Sequence, residues 1–534
     1  MFIILGFLAY GNAIRHPFVH DDVVFIVYNP HIADLRNLWS VFVEPFWLAP
    51  ASSLINLYHR PLLEVVYRLE YAAFGFDAHG YHFLNILIHI GNAFLLFRIL
   101  SRIFQKGYMP VLGAVFFLVH PIQTEAVACI SGISNLLSGF FVLTSFYLYV
   151  SARHSKTAVF LAYVCSVLFF ILALLAKEQM IVFPVFLIFY EWCFPHPAKE
   201  RAGGKRYAAA TTFVLVSTAY VFLRGSLAGG ALSNLFVNPL ELWLRILSIP
   251  QTILMYGQLL LLPLGLHYYR SVDVLASSWL TPIVFLCVAL VIAGVVVRAA
   301  SDDKQKIIFG LGWFGIFLLP TLNIVPLIIE YSHISTAEHF LYLPMAGFFI
   351  FIFAALERPF KSFLKEKEQQ RIFLAVLVIV LMAATARQNT YWRGEVPLFE
   401  RTTQYEKKMA RVYLLLANAY YFNGQMDQAN ASYQQALHII DGYLQKPLIP
   451  SVRDYYLGLD KGIHLDMARG YEQKNDFSAA IRQYETALKL DPQDSAIYND
   501  LGKNYRSLGD ETAAVWHFQK SSELLMQEKS GRKR

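Results

Sequence analysis

The chain has 534 residues, of which 56% are apolar, 15% aromatic and only 16% charged, with a formal net charge of +7. Soluble domains carry roughly 25% charged residues, so this composition excludes a disordered chain and an ordinary soluble enzyme. It fits an integral membrane protein with a soluble appendix.

The charge is unevenly spread. From Glu400 to the end 35 of 135 residues are charged, against 48 of the 399 before. A membrane body, 1–395, therefore precedes a water-soluble tail, 396–534. Basic residues in such a body set topology and do not imply a nucleic-acid partner. The four cysteines, Cys129, Cys165, Cys193 and Cys287, lie in apolar stretches without CxxC spacing, which reads as buried thiols and neither a disulfide framework nor a zinc site.

A spanning helix needs about 20 mostly apolar residues. In chain order the candidates are 1–15, 83–102, 109–128, 133–151, 157–176, 179–195, 207–223, 278–298, 307–328, 339–356 and 371–387, about eleven spans. The apolar stretch 243–265 carries Pro250 and Pro263 and reads as a re-entrant or broken element. Taken that way, with a cytoplasmic N-terminus, most of the body's Lys and Arg fall in cytoplasmic connections and the tail lies on the extracytoplasmic side. The connection 16–82 is then a long first outer loop. Within it, 61–76 reads as an amphipathic helix in the membrane interface, with Arg60, Glu64, Arg68 and Glu70 on its polar side.

The tail is periodic. Tyr471 and Tyr505 stand 34 residues apart, and Tyr420 precedes them by 34 plus an insertion of 17. Small residues recur around each, as in Leu416-Ala417, Met467-Ala468 and Leu501-Gly502. That is the tetratricopeptide period: small residues let two helices approach, and aromatics fill the space between units. Three repeats form an α-solenoid whose concave face suits a protein or glycan acceptor. The insertion around 438–460 either lengthens a helix pair or forms a loop.

Ionisable groups beside spans are costly to keep there and point to function. Asp21 and Asp22 follow the first span. One carboxylate can accept a proton from a hydroxyl while its neighbour raises its pKa; the pair can equally cap a turn. His120 and Glu125 flank Pro121, which breaks or kinks its helix. They face the same cavity as the aspartates, or His120 is a structural side chain. Lys177 and Glu178 form an internal ion pair, or Lys177 meets a phosphate. Arg224, Arg270, Glu338 and His339 lie in later outer loops, at the level where a lipid phosphate would need cations. No P-loop, Rossmann glycine pattern, nucleophile elbow or HExxH occurs, and no metal site is predicted.

The order of F-V-H-D-D (18–22), H-R-P-L (59–62), Y-H-F-L-N-I-L-I-H (81–89), H-P-I-Q-T-E-A-V (120–127), A-K-E-Q (176–179), E-H-F-L-Y-L-P (338–344) and Y-W-R-G-E (391–395), followed by the repeats, resembles the transmembrane and tetratricopeptide-repeat-containing O-mannosyltransferases and their bacterial relatives. The resemblance implies an all-α, GT-C-type polytopic helix bundle with a C-terminal repeat solenoid in the bacterial inner membrane, its repeats extracytoplasmic. It implies transfer of a sugar, mannose by analogy, from a polyprenyl-phosphate carrier to a hydroxyl acceptor. Asp21 and Asp22 would then be the catalytic pair, His120 and Glu125 would line the site, and Arg60, Lys177 and His339 would meet donor phosphate or acceptor. His339 stands where the family has Arg. Two other readings stay open: a non-catalytic membrane scaffold, and a lipid-linked glycan polymerase or ligase.

Overall fold

The computed structural model describes residues 1–43, 60–104, 108–154, 159–195, 208–227, 239–273, 280–322, 333–448 and 450–531. The regular structure of the described residues is helical apart from two three-residue strands, β1 (Ser271–Asp273) and β2 (His333–Ser335), which pair with each other. It divides into two compact units, the first comprising Met1–Leu327 and Ile334–Gly394, the second containing Glu395–Arg534.

The first unit is a bundle of apolar helices. They are α1 (Phe2–Tyr10), α2 (Pro61–Phe74), α3 (Ala78–Ile103), α4 (Met109–Val119), α5 (Ile133–His154), α6 (Val159–Ala176), α7 (Phe183–Cys193), α8 (Ala208–Leu227), α9 (Pro239–Leu261), α10 (Leu280–Arg298), α11 (Ser301–Leu318), α12 (Pro344–Phe363) and α13 (Lys367–Asn389). Each expected span overlaps one of these helices within the described residues, while 157–158, 207, 278–279 and 323–328 of the expected spans lie outside them. Among the described residues, however, only Ala78–Ile103, Ile130–Ala152, Leu280–Arg298 and Lys367–Trp392 are long and apolar enough to cross a membrane unaided. A fifth arises if Met109–Val119 and Pro121–Ala128, bent by 50°, act as one. The breaks at 120–123 and 177–182 shorten α4, α6 and α7, and helix length does not by itself yield eleven crossings.

The break at Pro121 is built, not frayed. The Val119 carbonyl that the helix leaves free accepts from Thr385 Oγ1 at 2.6 Å. Asn389 Nδ2 reaches from the end of α13 to Ala9 O at 2.9 Å and Asn12 Oδ1 at 2.8 Å. Such bonds are how a bundle in lipid satisfies backbone that a kink exposes. Tyr342 Oη, just before α12, sits 2.9 Å from His89 Nδ1 and accepts from Asn92 Nδ2 at 2.8 Å. The Y-H-F-L-N-I-L-I-H and L-Y-L-P segments thus lock two helices together.

Two details of this unit differ from the sequence reading. The stretch 243–265 is not broken at Pro250: helix α9 runs through it and ends at Leu261, before Pro263. The helix within 61–76 exists, but its polar residues are not turned to water: Arg68 and Glu70 are buried together with Leu63 and Tyr67, while Leu69 and Phe74 are exposed. Arg68 donates to Asp34 O at 2.9 Å and to Glu64 at 2.5 Å. The first loop folds over Arg68, and the helix keeps apolar side chains on both its buried and its exposed face. The thiols also differ from expectation. Cys129 and Cys193 are buried, Cys165 is half-buried and Cys287 is exposed on α10, a helix with no buried residue among those described.

The second unit begins with α14 (Glu395–Thr403). Three antiparallel pairs follow: α15 (Ala410–Phe422) with α16 (Met426–Leu444), α17 (Pro450–Gln473) with α18 (Phe477–Leu490), and α19 (Ser495–Ser507) with α20 (Glu511–Gly531). Four residues after each repeat tyrosine the backbone turns left-handed, at Gly424 (φ 74°), Asn475 (φ 57°) and Gly509 (φ 84°). The next N–H returns to that tyrosine's carbonyl, Gln425 to Tyr420, Asp476 to Tyr471 and Asp510 to Tyr505, at 2.9–3.0 Å. This six-to-one closure ends the first helix of each repeat, and glycine or asparagine is favoured there because a Cβ is strained at positive φ. The insertion lengthens α16 and α17 into a longer pair.

Candidate active site

One face of the first unit collects the polar segments. The helices return the chain to it repeatedly, through residues 19–22, 60, 125–135, 177–178, 224, 267–270 and 338–339. Arg224 and His267 flank α9, yet both belong to this collection, so α9 does not carry the chain away from it.

Asp22 is 1% exposed. Its carboxylate accepts from the backbone N–H of Ser131 at 2.7 Å, Val19 at 3.1 Å and Ile130 at 3.4 Å. Burial pushes its pKa up to about 6, against the pull of those donors. It pins the first loop to the turn before α5. Asp21 is different: its side chain is 46% exposed, and Oδ1 lies 3.4 Å from His20 Nε2. His20 adopts φ 52°, a costly left-handed conformation for a residue with a Cβ. Its ring packs edge-on against Tyr268, which feels the charges of both Asp21 and Glu125.

Glu125 is clamped by His339. One oxygen lies 2.9 Å from His339 Nδ1 and the other accepts from the His339 N–H at 2.9 Å. The adjacent Glu338 accepts from the His267 N–H at 2.7 Å and from Arg270 at 3.1 Å. Burial lifts Glu338 to about 7 although Arg270 opposes it. The β1–β2 pairing makes this contact, since Thr336 N–H donates to Arg270 O at 2.8 Å.

Lys177 is buried and donates to Asn135 Oδ1 at 2.5 Å, with the Phe340 ring 5.7 Å away. Burial, reinforced by Arg60, brings its pKa down to about 7. Glu178 turns aside from it. Arg60 grips Glu178 with two bonds, 2.9 and 2.7 Å, and Arg224 approaches to 3.6 Å. Burial raises the Glu178 pKa, but the guanidinium groups outweigh it and hold the carboxyl well below the usual range. The expected Lys177–Glu178 ion pair is thus replaced by an Arg–Glu–Arg cluster beside a lysine bonded to an amide. His120 joins none of this: its Nδ1 accepts from Ile122 N–H at 3.2 Å and its Nε2 donates to Leu260 O at 3.1 Å. Among the described residues no three His, Cys, Asp or Glu side chains are placed to share a metal ion.

Sequence reasoning did not single out Asn135, Ser131 or Tyr268, and it placed Glu70 on a polar helix side. Asn135 at the start of an apolar helix was a readable signal, as polar residues there are rare. Glu70 is 3% exposed and neither carboxylate oxygen has a hydrogen-bond partner among the described residues.

Family models for TPR repeats match 470–520 and 410–440. Beyond the repeats, the chain is 25% identical to a protein O-mannosyl-transferase of Caenorhabditis elegans, over 83% of this chain and 63% of that protein. It is 23% identical to human Protein O-mannosyl-transferase TMTC3, over 91% of this chain and 54% of that one. A 145-residue stretch is 33% identical to mouse Protein O-mannosyl-transferase TMTC1, covering 27% and 15% of the two chains. The crystal structure of MamA aligns with 34% of this chain and 92% of its own at 16% identity, with a TM-score of 0.22. The chain spans little more than half the length of the curated relatives it matches. Those relatives are the ones to which the short motifs pointed: protein O-mannosyl-transferases, similar to this chain along most of its length.

Proposed function

We propose that this chain is a membrane glycosyltransferase that moves mannose from a polyprenyl-phosphate carrier to a Ser or Thr hydroxyl of a protein, on the extracytoplasmic face of a bacterial inner membrane. The observation that carries the reading is the unequal aspartate pair: Asp22 fixed by backbone donors, Asp21 open beside it. Asp21 is the base and Asp22 positions it. As the acceptor oxygen attacks the anomeric carbon, Asp21 takes its proton. The bond from that carbon to the phosphate oxygen breaks, and the polyprenyl phosphate leaves with the electron pair. Attack from the opposite side inverts the anomeric centre.

The leaving phosphate needs positive charge where it forms. Arg60 and Arg224 hold Glu178, with Lys177, bonded to Asn135, next in the chain, and these cations are assigned that task. Glu125 and Glu338, held by His339 and Arg270, set the shape of the opposite wall. In the second unit, a cleft of about 380 Å³ between α15 and α17, lined by Tyr421, Phe422, Asp466, Arg469 and Glu472, suits an acceptor segment.

The test is transfer by the purified full chain in proteoliposomes, with radiolabelled polyprenyl-phosphate mannose and a Ser/Thr-rich acceptor protein. Label on the acceptor's hydroxyl side chains is the expected result. Label transferred only from a sugar nucleotide, or none at all by folded protein, overturns the reading.

A further inference from the structure

A groove of about 520 Å³ runs between α4, α12 and α13. Its walls are aromatic and aliphatic, with Phe116, Phe349, Phe353 and Leu377 among them. It follows α4 from Met109 to His120, α13 from Lys367 to Leu381, and α12 in reverse from Lys361 to Phe349. At 1.5 Å per residue these stretches measure about 16–21 Å, a little more than half of a hydrocarbon core about 30 Å thick. That is the depth of one leaflet.

The two ends differ in chemistry. One is closed by His120 and Leu260, bonded to each other. The other carries Lys306, Lys361, Lys367 and Arg371 with a single carboxylate, Glu357. Lys361 lies 2.6 Å from Glu357, and Lys306 lies 3.9 Å from Glu357 and 3.7 Å from Asp303 behind it. Lys367 and Arg371 make no ion pair among the described residues and stand at the mouth. Cations at the rim of a one-leaflet apolar slot match a lipid with a negative headgroup.

We propose that this groove holds an anionic phospholipid, its acyl chains along the aromatic walls and its phosphate on Lys361, Lys367 and Arg371. The occupant is not the sugar donor. A donor phosphate must lie near Asp21, and Asp22 is anchored at Ser131, beyond the closed His120 end, whereas the cations of the groove sit a helix length away. A peptide is disfavoured because the walls offer few groups to its backbone. The bound lipid would brace α4 against α12 and α13, and so the kink at Pro121.

The full chain in detergent would be mixed with phosphatidylglycerol or phosphatidylcholine and its bound lipid counted by native mass spectrometry. Phosphatidylglycerol should be retained at least about tenfold more tightly. Lys367→Gln with Arg371→Gln should lower that affinity roughly 10–30-fold, since each cation near an anionic lipid contributes about 1 kcal/mol. Leu377→Trp, which fills the slot, should weaken both lipids, and Lys367→Arg should change little. Equal binding of the two lipids, or a preference untouched by the double variant, overturns the proposal. So does displacement of phosphatidylglycerol by polyprenyl phosphate with the same dependence on Lys367 and Arg371, which would make the groove the donor's.

Discussion

Asp21 and Asp22 are neighbours in sequence with opposite environments, and the difference comes from what the turn before α5 offers. Three backbone N–H groups converge on Asp22; Asp21 is left to solvent and His20. The sequence made the pair conspicuous but gave no means of ranking its members, because the donors lie 108 and 109 residues along the chain or in the local backbone. Glu70 was misread for a related reason: on a helical wheel it stands about 200° from Arg68, so one polar side cannot hold both, and while residues 34–37 fold over Arg68, Glu70 is buried within the field of Asp22. Burial, with the charge of Asp22, pushes Glu70 up to about 8, from about 4.5 in an exposed chain. Between those pH values the unfolded chain releases a proton that the fold retains, so this group makes stability fall as pH rises through the window. Glu70→Gln should therefore be more stable than the parent at pH 8, on the order of 1–3 kcal/mol. Its melting temperature should also depend less on pH between about 5 and 8. Parallel melting curves for the two proteins across that range would contradict the assignment.

At the scale of elements, the helices were legible because hydrophobic runs and a 34-residue period depend on local sequence alone. Their crossings were not. α11 and α12 meet at Gly310 and Gly347, where a Cβ on either would strike the partner's backbone, at Phe351 N and Phe314 N respectively. Small residues allow such close approach of helices within a membrane. Gly347→Val should cost at least about 2 kcal/mol by overpacking, seen as a lower unfolding temperature in detergent. Gly315, one turn beyond the crossing with nothing near its added Cβ, provides the control: Gly315→Ala should be neutral or slightly stabilising. Equal losses at both positions would mean that the crossing does not depend on these glycines. The continuous helix α9 carries the same lesson, since a proline within a helix breaks it only where its neighbours cannot hold it.

For the molecule as a whole, two regimes of composition correspond to two units with separate cores. The repeat unit packs Ala417, Tyr433, Ala436 and Met467 in one cluster and Ala468, Tyr484 and Leu501 in another. A fragment of residues 395–531 should accordingly fold in water, with helical circular dichroism and a cooperative melt; a disordered fragment would show that it needs the membrane unit. In the membrane unit, segments scattered over more than 300 residues come to one face because the helices bring the chain back to it, a convergence that short motifs hint at only through their order. The claim on which the account turns is that Asp21, held open beside an anchored Asp22, takes the acceptor's proton. Mannose transfer from polyprenyl phosphate by Asp21→Asn, measured beside the parent with donor binding followed in parallel, tests it most directly. The account predicts a loss of about 10²–10⁴-fold in transfer with donor affinity and melting temperature retained. Transfer at the parental rate would contradict it.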